Sequence, residues 1–246
     1  MLLAAWLRPG TVHARCGAVD MLKMIVDRLS QHWPELVISV RSDSGVAGPE
    51  MYDYCDAEGF EYAFGYATND TLVRRVKELE LEENAKLLWW MTGRRAFQLF
   101  HTVDDYQAGS WPHARRIITR VEFTKLGGLN AAANVRFVVT NMIGFPKDIC
   151  HGYYTQRDRV PEHPIGELKN RLHMDRLSSH RFLANSHKLM VHMLAYLLYA
   201  LFREAQCEAA KQCSPETVAD EKSRLKDCRR WKLARLECVC SRWALR

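Results

Sequence analysis

Between residues 2 and 67 the chain alternates short apolar runs with helix-like spacing, in an order that few folds can accommodate. Residues 2–8 are a continuous apolar run closed by Arg8-Pro9-Gly10, the pattern of a buried strand ended by a turn. Apolar residues at 18, 19, 21, 22, 25, 26 and 29 then recur with the period of an amphipathic helix. Leu36–Val40 is a short β-branched run followed by the turn sequence Arg41-Ser-Asp-Ser-Gly45. Pro49 can open a second helix that Gly59 stops, and Glu61–Ala67 reads as an aromatic-rich strand. Strand, helix, strand, helix, strand predicts an α/β layer with at least some parallel pairing, because parallel neighbours need a crossover between them.

Further on, Thr68-Asn69-Asp70 offers helix caps, and an amphipathic segment follows to about Trp90. Phe97–His101, Arg115–Phe123 and Val135–Thr140 have strand-like content and are separated by Gly- and Asn-containing turns, which predicts a small antiparallel insertion. Residues 162–172 and 181–205 are helical in pattern. The longest apolar stretch, Leu189–Phe202, contains His192 and at 14 residues is short of a bilayer span of about 20. A cytoplasmic protein without a membrane partner is expected.

With 48% hydrophobic and 26% charged residues, the composition is that of a globular protein. The net charge of +6 is misleading as a whole. Residues 222–246 hold nine Lys/Arg against two Asp/Glu, so the rest of the chain is near neutral and any polyanion partner must be argued from local clusters. Between His113 and Arg136 five Lys/Arg face one acid, Glu122, and between Lys147 and Lys188 eight face five. Such clusters suit phosphate neutralisation, with Arg115 and Arg116 in the first and Trp111 beside it as a base-stacking or core aromatic. The eight cysteines include no C-x-x-C pair and read as reduced thiols rather than a zinc site.

Two segments could carry chemistry. Asp43 follows the strand at 36–40, where a polar loop can project a carboxylate into the crevice at the strand ends, or can simply close an Asx turn with Ser44-Gly45. Downstream lies Tyr154-Thr-Gln-Arg157-Asp-Arg-Val-Pro-Glu162-His-Pro-Ile-Gly-Glu167-Leu-Lys169. A helix opened by Glu162 places Ile165 and Lys169 on the same stripe, and it is equally an ordinary helix start with an acid at the positive end of the dipole.

The string Val40-Arg-Ser-Asp-Ser-Gly45, with Tyr52-Asp-Tyr-Cys55 and Tyr62-Ala-Phe-Gly65 behind it, resembles the second-aspartate region of DDE transposases from bacterial insertion sequences. Tyr154, Arg157, Glu162 and Lys169 resemble their Y-(2)-R-(3)-E-(6)-K signature. Leu7-Arg-Pro-Gly-Thr-Val-His13-Ala and Asp175-Arg-Leu-Ser-Ser-His-Arg-Phe-Leu-Ala-Asn185 are similar to further blocks of one such group, so the resemblance spans roughly residues 2–202. It implies an α/β, ribonuclease H-like (retroviral-integrase-like) core with an antiparallel β insertion and C-terminal helices. The implied site is a two-ion Mg²⁺ (or Mn²⁺) centre held by Asp43 and Glu162, with Glu167 as the alternative ligand. Hard oxygen ligands suit Mg²⁺, and two ions about 3.5–4 Å apart stabilise both oxygens of an in-line phosphoryl displacement. Tyr154, Arg157 and Lys169 are the implied DNA contacts.

Under this resemblance the domains run 1–93 for the first part of the core, 94–146 for the insertion, 147–206 for the glutamate helix and C-terminal helices, and 207–246 for a basic tail that need not be ordered. The implied partner is double-stranded DNA at transposon ends, near the nucleoid, bound as a homodimer or beside a full-length transposase. Two departures bear on activity. The first aspartate of the triad belongs on a strand upstream of residues 2–8, so N-terminal truncation and impaired catalysis are expected; Asp20, within the helical pattern, is a poor substitute. Four residues rather than three separate Arg157 from Glu162. The alternative is a non-catalytic DNA-binding transposase remnant.

Overall fold

The computed structural model describes residues 3–93, 96–124, 133–156, 166, 168–170 and 172–212. Its first helix, α1 (Ala18–Ser30), buries Ala18, Leu22 and Val26, one residue per turn on the face toward the sheet. Strand β1 (Ser39–Ser42) and strand β2 (Glu61–Tyr66) pair in parallel, with Val40 opposite Tyr62 and Ser42 opposite Phe64. The crossover between them is α2 (Pro49–Ala57), started by a proline at its first position and burying Met51, Tyr52 and Cys55. Gly59 leaves it at φ +69°, a left-handed conformation that a side chain would strain.

The amphipathic segment after β2 folds as two helices, α3 (Asp70–Glu78) and α4 (Leu81–Thr92), rather than one. Asn69 caps α3 by accepting from the Leu72 N–H at 2.9 Å. A continuous helix carrying Leu72 and Val76 inward would next present Glu80 to the core. Glu80 instead adopts φ +50°, and this one-residue slip brings Leu81, Ala85 and Trp89 onto the buried face.

Strands β3 (Ala96–Tyr106), β4 (Arg115–Thr124) and β5 (Asn134–Thr140) form an antiparallel meander, and β5 pairs antiparallel with β2, Thr140 opposite Ala63. All five described strands therefore share one mixed sheet in the order β1-β2-β5-β4-β3. The meander expected as an insertion is continuous with the α/β part through the β2–β5 pairing. A short helix, α5 (Pro146–Asp148), runs into a six-residue π-helix, Ile149–Tyr154. The last described element is the long helix α6 (Phe182–Gln212).

The main core lies on one sheet face, where α1 to α4 pack on Val40, Tyr62, Phe64, Phe137, Val139, Ile117 and Val121. The other face is covered in part by the π-helix, whose Ile149, Cys150 and Tyr153 pack on Ala63, Ile118 and Val138. One sequence expectation fails here: residues 3–9 form no strand. Ala5 and Leu7 pack instead with Leu168, Met174, Leu189 and Tyr196 beside α6. The Arg8 guanidinium pins the following turn by donating to the carbonyls of His13, Ala14 and Cys16. No described helix is long and apolar enough to cross a membrane.

Candidate functional site

Asp43 is the first residue after β1, at the carboxyl end of the parallel pair. Its Oδ1 accepts the Gly45 N–H at 2.9 Å, so the Asx turn forms and fixes the carboxylate. Among the described residues the other carboxylate oxygen has no donor, which leaves it an acceptor open to a hard cation.

The π-helix brings the second motif to this loop. A Cβ built on Gly65 of β2 would lie 2.5 Å from Tyr154 Oη, 3.1 Å from Ser44 N and 3.4 Å from the Asp43 carbonyl carbon. Tyr154 and the Asp43 turn thus meet over a bare glycine, although 110 residues separate them in sequence. Beneath them Arg41, 1% exposed, donates to the Tyr153 carbonyl at 2.5 Å and stacks on the Tyr153 ring at 5.5 Å. A buried guanidinium in β1 therefore ties the strand that presents Asp43 to the helix that presents Tyr154.

Sequence reasoning passed over Arg41, Gly65 and Tyr153 as parts of the site. One signal was readable, a glycine inside the strand at 61–67, which marks close approach of another group; Arg41 was hidden because the strand runs on to Ser42, past the expected turn at 41–45.

Glu162, Arg157 and the alternative Glu167 lie outside the described residues. Lys169 is exposed on a helical stretch, next to the buried Leu168. The similar block Asp175–Asn185 folds back on α6: Asn185 accepts from Ser179 N at 3.1 Å and donates to Ser179 O at 2.8 Å, and Lys188 donates to the Arg176 carbonyl at 2.9 Å.

Two of the expected DNA contacts, Trp111 and Arg115, are corrected. Trp111 is 5% exposed and wedged edge-on among Tyr52, Tyr66 and Tyr106 at 5.2–5.5 Å, so it has no face for a base. The Arg115 side chain is 4% exposed and donates to Asp53, Asp56 and the Tyr62 hydroxyl. Its charge is spent on holding α2 to the sheet. Arg116, expected in the same role, stays partly exposed at the surface, beside Asp104 at 3.3 Å and the carbonyls of Met142 and Gly144 to which it donates. For Trp111 and Arg115 the residue type suited nucleic acid, but tertiary packing supplied other partners.

Asp53, Asp56 and His113 place potential ligand atoms within 4.8 Å of one another. They fit a metal poorly. The guanidinium of Arg115 already bridges both carboxylates and would repel a cation at the same place. The buried thiols are unsuited to nucleophilic work as well: burial pushes Cys55 up to about 12 and Cys150 up to about 11, keeping both protonated at neutral pH.

Asp43 stands at the carboxyl end of the parallel strands of a mixed α/β sheet, the region where open α/β sheets bind ligands. The family model described as transposase DDE domain, group 1, matches residues 1–221, and the chain belongs to that family of DNA-transposition proteins. Its members generally use a divalent metal. No curated protein and no solved structure matches the chain.

Proposed function

We propose that the chain acts in metal-dependent DNA strand cleavage and strand transfer at insertion-sequence ends, on a ribonuclease H-like core with Asp43 and Glu162 as metal ligands. The observation that carries this reading is the meeting of Asp43 and Tyr154 over Gly65. Two blocks far apart in sequence, both implied by the family signature, come together at the carboxyl ends of β1 and β2.

Asp43 fits one part of a Mg²⁺ or Mn²⁺ site through the chemistry of its unshared carboxylate oxygen, and Glu162 would complete the pair. A divalent ion bound there supplies Lewis-acid activation of water or a 3′-hydroxyl and neutralises charge on the transferring phosphate. The protein's own part is positional. Gly45 N–H orients the Asp43 carboxylate, and Arg41 locks β1 to the π-helix through Tyr153. The Tyr154 hydroxyl, with Arg157 and Lys169 after it, would then receive phosphates beside the reacting one.

The test is cleavage of terminal-repeat DNA with Mg²⁺ or Mn²⁺, comparing wild type with Asp43→Ala and Glu162→Ala. Cleavage that depends on both carboxylates supports the reading; robust cleavage that survives both substitutions overturns it.

A further inference from the structure

The π-helix covers only part of its sheet face, and what it leaves open is positively charged. On adjacent antiparallel strands Ile118 pairs with Val138, the last residues under Ile149, Cys150 and Tyr153, and the next pair outward on that face is Arg120 opposite Arg136. Like charges directly opposite each other across a strand pair repel, with Cβ atoms about 4.5–5.5 Å apart. Among the described residues of β4 and β5, Glu122 is the one carboxylate. Glu122 lies 3.5 Å from Arg120 and also accepts from Gln98 at 2.9 Å. Arg136 is exposed and, among the described residues, has no ion-pair partner; the same holds for Lys147 at the start of the neighbouring helical segment.

Lys147 and Arg120 converge on His151, whose ring packs edge-on against Phe100 at 5.2 Å. Burial holds the His151 pKa below its ordinary value, Arg120 and Lys147 lower it further, and only Glu122 opposes them. The local field is therefore positive. Arg41, Gly65 and the π-helix share this sheet face, so the strip adjoins the elements that present Asp43 and Tyr154.

We infer that the exposed Arg136 and Lys147 form a phosphate-binding strip for the backbone of duplex DNA, laid across β5 and the start of the helical segment, with the largely buried, Glu122-paired Arg120 adding positive charge behind it. The choice of DNA as the polyanion rests on the transposase reading; the need for an anion rests on the charge arrangement alone. In the sequence Arg136 and Lys147 only bound the two basic clusters, and Arg115, Arg116 and Trp111 were the residues named there as DNA contacts.

Arg136→Ser combined with Lys147→Ser tests the strip, since both side chains are exposed and neither enters the core. Binding of the full chain to a labelled terminal-repeat duplex, and to a scrambled duplex, is measured in EDTA across a salt series. A control variant, Lys77→Ser with Lys86→Ser, removes two exposed lysines from α3 and α4 on the opposite side of the sheet. The strip predicts weaker binding to both duplexes and a plot of log affinity against log salt shallower by about 2, one for each lost phosphate contact. The control keeps the wild-type slope, and the thermal midpoints of all three proteins agree.

An unchanged slope in the strip variant, a loss matched by the control, or failure of the wild type to hold duplex DNA overturns the inference. Asp43→Asn, run in parallel, separates the two claims: loss of cleavage with binding intact bears on the metal site alone.

Discussion

Replacing Gly65 by alanine tests the closest approach in the candidate site. The added Cβ would sit 2.5 Å from Tyr154 Oη and 3.1 Å from Ser44 N, whereas ordinary non-bonded contacts begin at about 3.5 Å. Overpacking of this kind costs about 1–3 kcal/mol. Removing a glycine from a strand interior returns about 0.5–1 kcal/mol, so the net loss should be about 1–1.5 kcal/mol. For a chain of this length that lowers the thermal midpoint by about 3–5 °C. The Tyr154 hydroxyl is the movable partner and the Ser44 backbone is not. Tyr154→Phe in the Gly65→Ala background should therefore recover part of the loss and leave the Ser44 clash. Urea denaturation of the four proteins in the cycle should give a coupling of about 1 kcal/mol, beyond the roughly 0.3–0.5 kcal/mol expected of independent sites. The reasoning is refuted if Gly65→Ala is as stable as wild type, or if the two substitutions simply add.

Other consequences are directly measurable. Arg115→Met strips Asp53 and Asp56 of their shared cation, and because these carboxylates still reach water the cost should fall at the lower end for a broken buried pair, about 3 kcal/mol by denaturant titration. Trp111→Ala should destabilise by about 3–5 kcal/mol, and a folded Trp111→Leu variant, which has no aromatic face, should keep wild-type DNA affinity, which a base-stacking role would not allow. Asn69→Ala removes the α3 cap and the donor to the Tyr106 hydroxyl, costing about 1 kcal/mol. Cys55 and Cys150 are raised in the folded protein above the ordinary 9.0 of a thiol, so their contribution to stability is complete below pH 9 and is lost as pH rises toward 11–12. Urea midpoints at pH 8 and pH 10.5 should show that fall, and Cys55→Ala with Cys150→Ala should flatten it.

Much of the α/β part was legible in sequence because local pattern and tertiary burial agree there. The helices at 18–30 and 49–57 and the strands around 40 and 61–66 follow their apolar periods and their Pro and Gly boundaries closely. The run at 2–8 misled because apolar content alone does not distinguish a strand from a segment packed against a helix, and Leu7 found α6 rather than a strand neighbour. The break at Leu79-Glu80 was hidden in a one-residue change of phase. For the candidate site, Asp43 and Tyr154 were named through the family resemblance, whereas the contacts of Gly65 and Arg41 run across the sheet and are set by tertiary packing. Arg115 and Trp111 show the converse: residue types apt for nucleic acid were drawn inside by two aspartates and three tyrosines.

The central claim is that Asp43 and Glu162 share a divalent ion while the Asp53–Asp56–His113 group does not. Titration of Mn²⁺ by electron paramagnetic resonance, on the full chain without DNA, addresses it independently of cleavage. The account predicts weaker Mn²⁺ binding in both Asp43→Asn and Glu162→Gln, and wild-type binding in Asp53→Asn. Unchanged binding in the first two variants, or loss confined to Asp53→Asn, would contradict it.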